Sequence, residues 1–211
     1  IYLFKRDVLV EMLEKSEYTD FGKEIFPMSI RARRVHVHLF DGYWEDIGTI
    51  RSFYDANLAL ASANPPFNLI DEANPIFTRA RSLAPARILG ANVNKALVSN
   101  GAFIEDKTTI ENSIIGLRCH VGQGASVKNT IVMGADFYES DCDRTDETGE
   151  LPAVGIGAGT VIDGAIVDKN ARIGQNCQIV MREGLEPNCD INGVYIRDGI
   201  ICIPKDAILP N

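Results

Sequence analysis

The 211-residue chain has little histidine, with three in all, and a single tryptophan; no two of its five cysteines stand at CxxC spacing. An odd number of widely spaced cysteines indicates neither a disulfide framework nor a zinc site, and makes a reducing compartment the default. Positive charge is also in deficit: Lys and Arg number 21 against 29 Asp and Glu, for a net charge of −8. Nucleic acid or an anionic membrane as the main partner would need a basic footprint, so neither is expected; a small phosphorylated ligand held by local cations is still compatible. No stretch approaches the apolar run of about 18 residues that reads as a membrane span. GxGxxG, Walker, GxSxG and HExxH motifs are absent from the sequence, and with them the chemistries those spacings carry.

What is there divides into three textures. Residues 1–62 have the mixed character of an α/β segment. Ile1 to Phe4 read as a strand, and Val8, Leu9, Met12 and Leu13 fall on one face of a helix over 7–14. Asp20 is placed to cap a short helix that runs towards Phe26 with Pro27 near its end. Val35, Val37 and Leu39 alternate with His36, His38 and Phe40 as in a strand. Thr49 is positioned to cap a helix carrying Ile50, Phe53, Tyr54, Leu58 and Leu60. These elements are too few to close a core, and the chain opens without Met, so the segment reads as the tail of a larger domain. Residues 63–87, rich in Pro, Asn and Ala, read as an extended linker.

From residue 88 to 211 branched aliphatics recur about every six residues: Ile104, Ile110, Ile115, Val121, Val127, then Ile156, Ile162, Val167, Ile173 and Ile179. Neither the three-and-four spacing of a helix nor the short alternation of hairpins gives this period. A hexapeptide repeat is the mark of a parallel β-helix, with three hexads per triangular coil, the aliphatic pointing inward, and glycines and small residues at the corners. A left hand follows by analogy with known solenoids of this period, and an all-β domain with glycine-rich turns is the plainer alternative. The period lapses at about 134–153 and 181–193, where polar residues are expected to loop out, and resumes at VYIRDGIICI. The closing IICIPKDAILPN lacks a polar cap, so the solenoid is expected to continue or to be covered by a partner.

Few residues stand out as carriers of chemistry. His36, His38 and His120 are scattered; the first two suit packing or solvent contact, and His120 at a coil edge is the only residue that an acyl-transfer reading would have. The loop Gly42-Tyr43-Trp44-Glu45-Asp46-Ile47-Gly48-Thr49 sets an aromatic beside two carboxylates at a helix start. Such a loop suits either a Mg²⁺-phosphate group or a plain turn with a packed Trp and solvated acids.

In this loop GYWEDIGT is similar to the W-x-D-x-G element of sugar-1-phosphate nucleotidylyltransferases. Together with IYLF, TDFGKEIFP, ANLAL, PIFTRAR, VMGADFYE, VDKNARIG, VYIRDGI and IICIPKDAI, it makes the whole chain resemble the C-terminal half of the glucose-1-phosphate adenylyltransferase (ADP-glucose pyrophosphorylase) family, in its cyanobacterial and plant branch. The resemblance implies a left-handed β-helix for regulation and assembly after the end of an α/β nucleotidyltransferase domain. It implies reaction of ATP with α-D-glucose 1-phosphate to ADP-glucose and diphosphate, with Mg²⁺, in a homo- or hetero-tetramer that is cytoplasmic in bacteria or plastidic in plants and algae. The family's nucleotide loop, its first metal-binding aspartate and its sugar-phosphate lysine would lie upstream of Ile1, so these residues alone are expected to be inactive, and a non-catalytic scaffold or regulatory subunit is the second reading. By resemblance Asp46 is the second metal-binding aspartate, with Trp44 and Glu45 shaping its pocket. Lys169 and Lys205 match the lysines associated with the activator 3-phosphoglycerate, with Arg79 and Arg81 as further anion contacts. Pro204, where an aliphatic is usual, is expected to disturb Lys205.

Overall fold

The structure, a computed structural model, describes residues 1–140, 151–191 and 193–211. It divides into two compact units, Ile1–Gly42 and Tyr43–Asn211. The first holds helix α1 (Arg6–Glu14), a π-helical turn (Phe21–Ile25) and helix α2 (Phe26–Ala32). Asp20 caps the π turn by accepting from the Lys23 N–H, as its position before the turn predicts. Pro27 does not end a helix: it sits in the first turn of α2, where its missing N–H costs nothing. Neither Ile1–Phe4 nor Val35–Phe40 is a strand, and neither pairs with a strand among the described residues. Tyr2 and Phe4 instead pack their rings around Phe21 and Phe26. Leu13 falls off the packed face of α1 and is exposed.

The second unit contains helix α3 (Ile50–Leu60) and a parallel β-helix. The Thr49 side chain accepts from the Ser52 N–H while the Ser52 hydroxyl takes the Thr49 N–H, a reciprocal capping box. One face of the solenoid stacks β1 (Arg87–Ile88), β3 (Phe103–Ile104), β5 (His120–Val121), β8 (Gly155–Ile156), β11 (Arg172–Ile173) and β16 (Ile208–Leu209). The other two faces share β2 (Asn92–Val98) and β4 (Thr109–Leu117), which bend over a corner at Lys95 and Asn112, both in the left-handed region. Before the bend β4 pairs on one face with β6 (Ser126–Lys128), and β9 (Val161–Asp163) and β12 (Gln178–Val180) follow. On the other face it pairs with β7 (Ile131–Gly134), then β10 (Ala165–Val167) and β15 (Ile200–Ile203).

The inward aliphatics named from the sequence form one core: Ile104, Ile110, Ile115, Val121, Val127, Ile156, Ile162, Val167 and Ile173 are all buried, and Ile179 packs partly buried at its end. Each contributes on the order of 1.5–3 kcal/mol of burial. Coil-equivalent residues such as Ser113 and Thr130 are 17 apart, one fewer than three hexads. The glycines that follow the aliphatics do not turn corners, but others do, as the sequence reading has it: Gly90, Gly124 and Gly159 have positive φ at corner positions. A Cβ on Gly116, Gly122 or Gly157 would overlap the backbone of the neighbouring coil, so glycine there permits close stacking of coils. Corners are turned by other residues with positive φ, among them Lys107, Asn129, Asn170 and Asn176. Asn112 donates to Asn129 and Asn129 to Asp163, each at 2.8 Å, in a ladder along one corner.

VYIRDGI is also different from expectation. It is not a resumed coil but the second strand and turn of a hairpin, in which β14 (Val194–Arg197) runs antiparallel between β13 (Cys189–Ile191) and β15. Asp198 and Gly199 both have positive φ at its tip, the conformation an Asp-Gly hairpin turn requires. Helix α3 lies on the face formed by β4, β7, β10 and β15, burying Tyr54 and Leu58 against Ile131, Ile166 and Ile200. The Tyr54 hydroxyl donates to the Asn129 carbonyl, and the Arg51 guanidinium donates to the Asp198 carbonyl.

Candidate functional site

The register stacks one set of corners into a charged column. Leu117 pairs with Gly134, Val132 with Val167, and Val167 with Ile203. Arg118, Asp136, Lys169 and Lys205 therefore emerge side by side from successive coils. The linker residues Arg79, Ala80, Arg81 and Ser82 run along this column, and together with Arg118, Asp136 and Lys169 they line a cleft of about 450 Å³. Lys169 Nζ lies 2.8 Å from Asp136 Oδ1, and Lys205 Nζ lies 2.9 Å from Asp136 Oδ2. Pro204 leaves this geometry intact: its carbonyl accepts from the Ala207 N–H, and Lys205 reaches the same carboxylate as Lys169. The two ammonium groups, Lys169 first, hold the Asp136 carboxyl well below the usual carboxylate range, and Asp136 in turn pushes Lys205 up.

The remaining cations are differently engaged. The Arg118 guanidinium donates to the Ala135 carbonyl at 3.2 Å and stacks 5.7 Å from the centre of the Tyr138 ring. Arg81 donates to the Arg79 carbonyl, while the Arg79 guanidinium has no hydrogen bond or ion pair among the described residues. Three of the four effector residues expected from the sequence, Arg79, Arg81 and Lys169, thus border one cleft and Lys205 reaches its Asp136, while Arg118 and Asp136 are lining residues that the sequence reading missed. The strand register places Arg118, Ala135 and Asn170 at equivalent corners, 17 and then 35 residues apart, with Asp136 next to Ala135. In a chain of net charge −8, this is a local reversal of sign suited to a small anion.

The loop before α3 is placed differently. Trp44, Glu45, Tyr43 and Ile47 form a shallow groove with Ala56, Asn57 and Leu60 of α3 and Phe67, and Asp46 is not on its wall. The Asp46 carboxylate is exposed and has no hydrogen bond or ion pair among the described residues. Among the described residues no group of three His, Cys, Asp or Glu side chains could hold a metal by itself. Mg²⁺ is usually held by one or two carboxylates plus substrate phosphates, and the exposed Asp46 carboxylate has the chemistry of one such ligand. His120 is committed elsewhere: its Nε2 lies 3.0 Å from Glu105 Oε1 and its ring stacks on Phe103.

Residues 81–211, well over half of the chain, match the family model of the GLGC left-handed parallel beta-helix domain. The chain belongs to the GLGC family, the glucose-1-phosphate adenylyltransferases. Residues 1–63 match the Nucleotidyl transferase family model. The solenoid of this GLGC chain is therefore left-handed and follows a nucleotidyltransferase region, and the protein is classed as a nucleotidyl-transferring enzyme. Membership of the GLGC family implies ATP and glucose 1-phosphate as substrates, a divalent metal and an oligomeric assembly.

Proposed function

We propose that the chain supplies the regulatory and assembly part, residues 88–211, of an enzyme that makes ADP-glucose and diphosphate from ATP and α-D-glucose 1-phosphate, and that the corner cleft binds a phosphorylated effector such as 3-phosphoglycerate. One observation carries the reading: Lys169 and Lys205, 36 positions apart in coil register, converge on a single carboxylate inside a cleft bordered by Arg79, Arg81 and Arg118. Paired ammonium groups with planar guanidinium forks beside them suit a ligand that carries both a carboxylate and a phosphate. Asp46 is read as a ligand of Mg²⁺, which when bound supplies charge neutralisation of the reacting phosphates. Trp44 and Glu45 shape the neighbouring groove and keep that side of the loop partly apolar.

The test is activation of the complete enzyme. Lys169→Ala and Lys205→Ala should each raise the 3-phosphoglycerate concentration for half-maximal stimulation by about tenfold, the loss of roughly one charge-assisted hydrogen bond. Stimulation curves unchanged in both variants would show that the effector binds elsewhere or that this member has none.

A further inference from the structure

Asp136 is not a casual surface acid. Its backbone N–H donates to Asn170 Oδ1 at 2.8 Å, and the same Asn170 side chain donates to Asp136 Oδ2 at 3.4 Å and to Asp206 Oδ1 at 3.0 Å. Two residues on, the Tyr138 hydroxyl donates to the Gly101 carbonyl. Next along, the Glu139 carboxylate is paired with Arg172 and accepts from the Val154 N–H at 3.0 Å, with side-chain exposure of 6% and 16% for the pair. Asp136 is thus delivered to the lysines by a segment fixed on both sides, and each of its oxygens takes one ammonium.

We propose that Asp136 is a built-in counter-anion, occupying the place of the effector's anionic group, so that effector binding exchanges one anion for another. The proposal rests on the effector reading of the cleft. The exchange is feasible because the contacts are open to solvent: the Asp136 side chain is 40% exposed and the lysines 45% and 50%, and exposed ion pairs are weak and easily displaced. A phosphate wins the exchange because it carries more charge and more acceptor oxygens than a carboxylate. In the absence of effector Asp136 offsets the repulsion between the two ammonium groups, and its competition raises the effector concentration needed to occupy the cleft.

Asp136→Asn keeps the shape and the Asn170 contact and removes the competing charge. In the complete enzyme it should lower the half-saturating concentration of 3-phosphoglycerate, and the calorimetric dissociation constant of inorganic phosphate, by about fivefold. Asp206→Asn removes a charge at the same corner whose carboxylate is paired with neither ammonium group, and should move both by less than about twofold. Unchanged or weakened binding in Asp136→Asn would overturn the proposal, since the carboxylate would then only position the lysines; so would an equal gain in Asp206→Asn, which would reflect bulk charge. If Lys169→Ala and Lys205→Ala leave phosphate binding unaltered, the effector reading itself has failed and the proposal falls with it. If those two weaken binding and Asp136→Asn does not strengthen it, only the proposal falls.

Discussion

Asp46 and Asp136 are both exposed aspartates, yet their surroundings give them opposite tasks. Asp136 is saturated by two ammonium groups, whereas the Asp46 carboxylate has no partner among the described residues and so is available to a hard cation. Because it packs against nothing, Asp46→Asn should leave the melting temperature unchanged. If Asp46 holds the metal, turnover of the complete enzyme should fall by at least about 10²-fold, the usual scale for losing a group that stabilises developing charge. Turnover within about threefold of the unaltered enzyme would assign Asp46 to the turn alone. Lys169, Lys205, Arg79 and Arg81 stand out in the sequence as candidates because each lies in a phrase that resembles the family. Arg118 and Asp136 do not: their roles arise from which corners stack, and the hexad period, counted in sixes, misplaces a coil that advances by 17 residues.

Among the elements, the solenoid was readable and the first unit much less so. Inward aliphatics repeat because every coil must bury the same positions, and that regularity survives in the sequence. The strands expected at 1–4 and 35–40 failed because alternation states only that a segment has two faces; a ladder also needs a neighbour. The hairpin at 194–203 was hidden by its aliphatics, which fit a hexad almost as well, although Asp198-Gly199 carries the turn signal. The glycines separate the two roles experimentally. A Cβ at Gly157 would overlap the Gly174 carbonyl in the next coil, whereas at Gly124 it meets nothing within 4 Å and only the positive φ of +69° resists it. Gly157→Ala should therefore cost about 3 kcal/mol, the upper end for overpacking against an unyielding neighbour, and Gly124→Ala about 1 kcal/mol. Chemical unfolding of both variants measures this, and an equal or smaller loss for Gly157→Ala would contradict close stacking as the reason for glycine after the aliphatic.

At the scale of the whole molecule, an acidic protein concentrates its cations where one corner of the β-helix meets the extended linker. The core of aliphatics fixes the corners in space, the register lines up Lys169 and Lys205, and α3 ties the Trp44–Asp46 loop to the same sheet through Tyr54 and Leu58 packed on Ile131, Ile166 and Ile200. Cys202 and Met133 pack on that cluster too, and Met133 also lines the cleft, so the site and the helix after the loop share a wall of side chains. Packed elements of this kind carry coupling only if they have two arrangements. The most direct measurement is a structure of the complete enzyme with 3-phosphoglycerate bound. The account predicts ligand between the Lys169 and Lys205 ammonium groups, with the Asp136 carboxylate displaced from both. Ligand bound elsewhere, with both lysines still on Asp136, would contradict it.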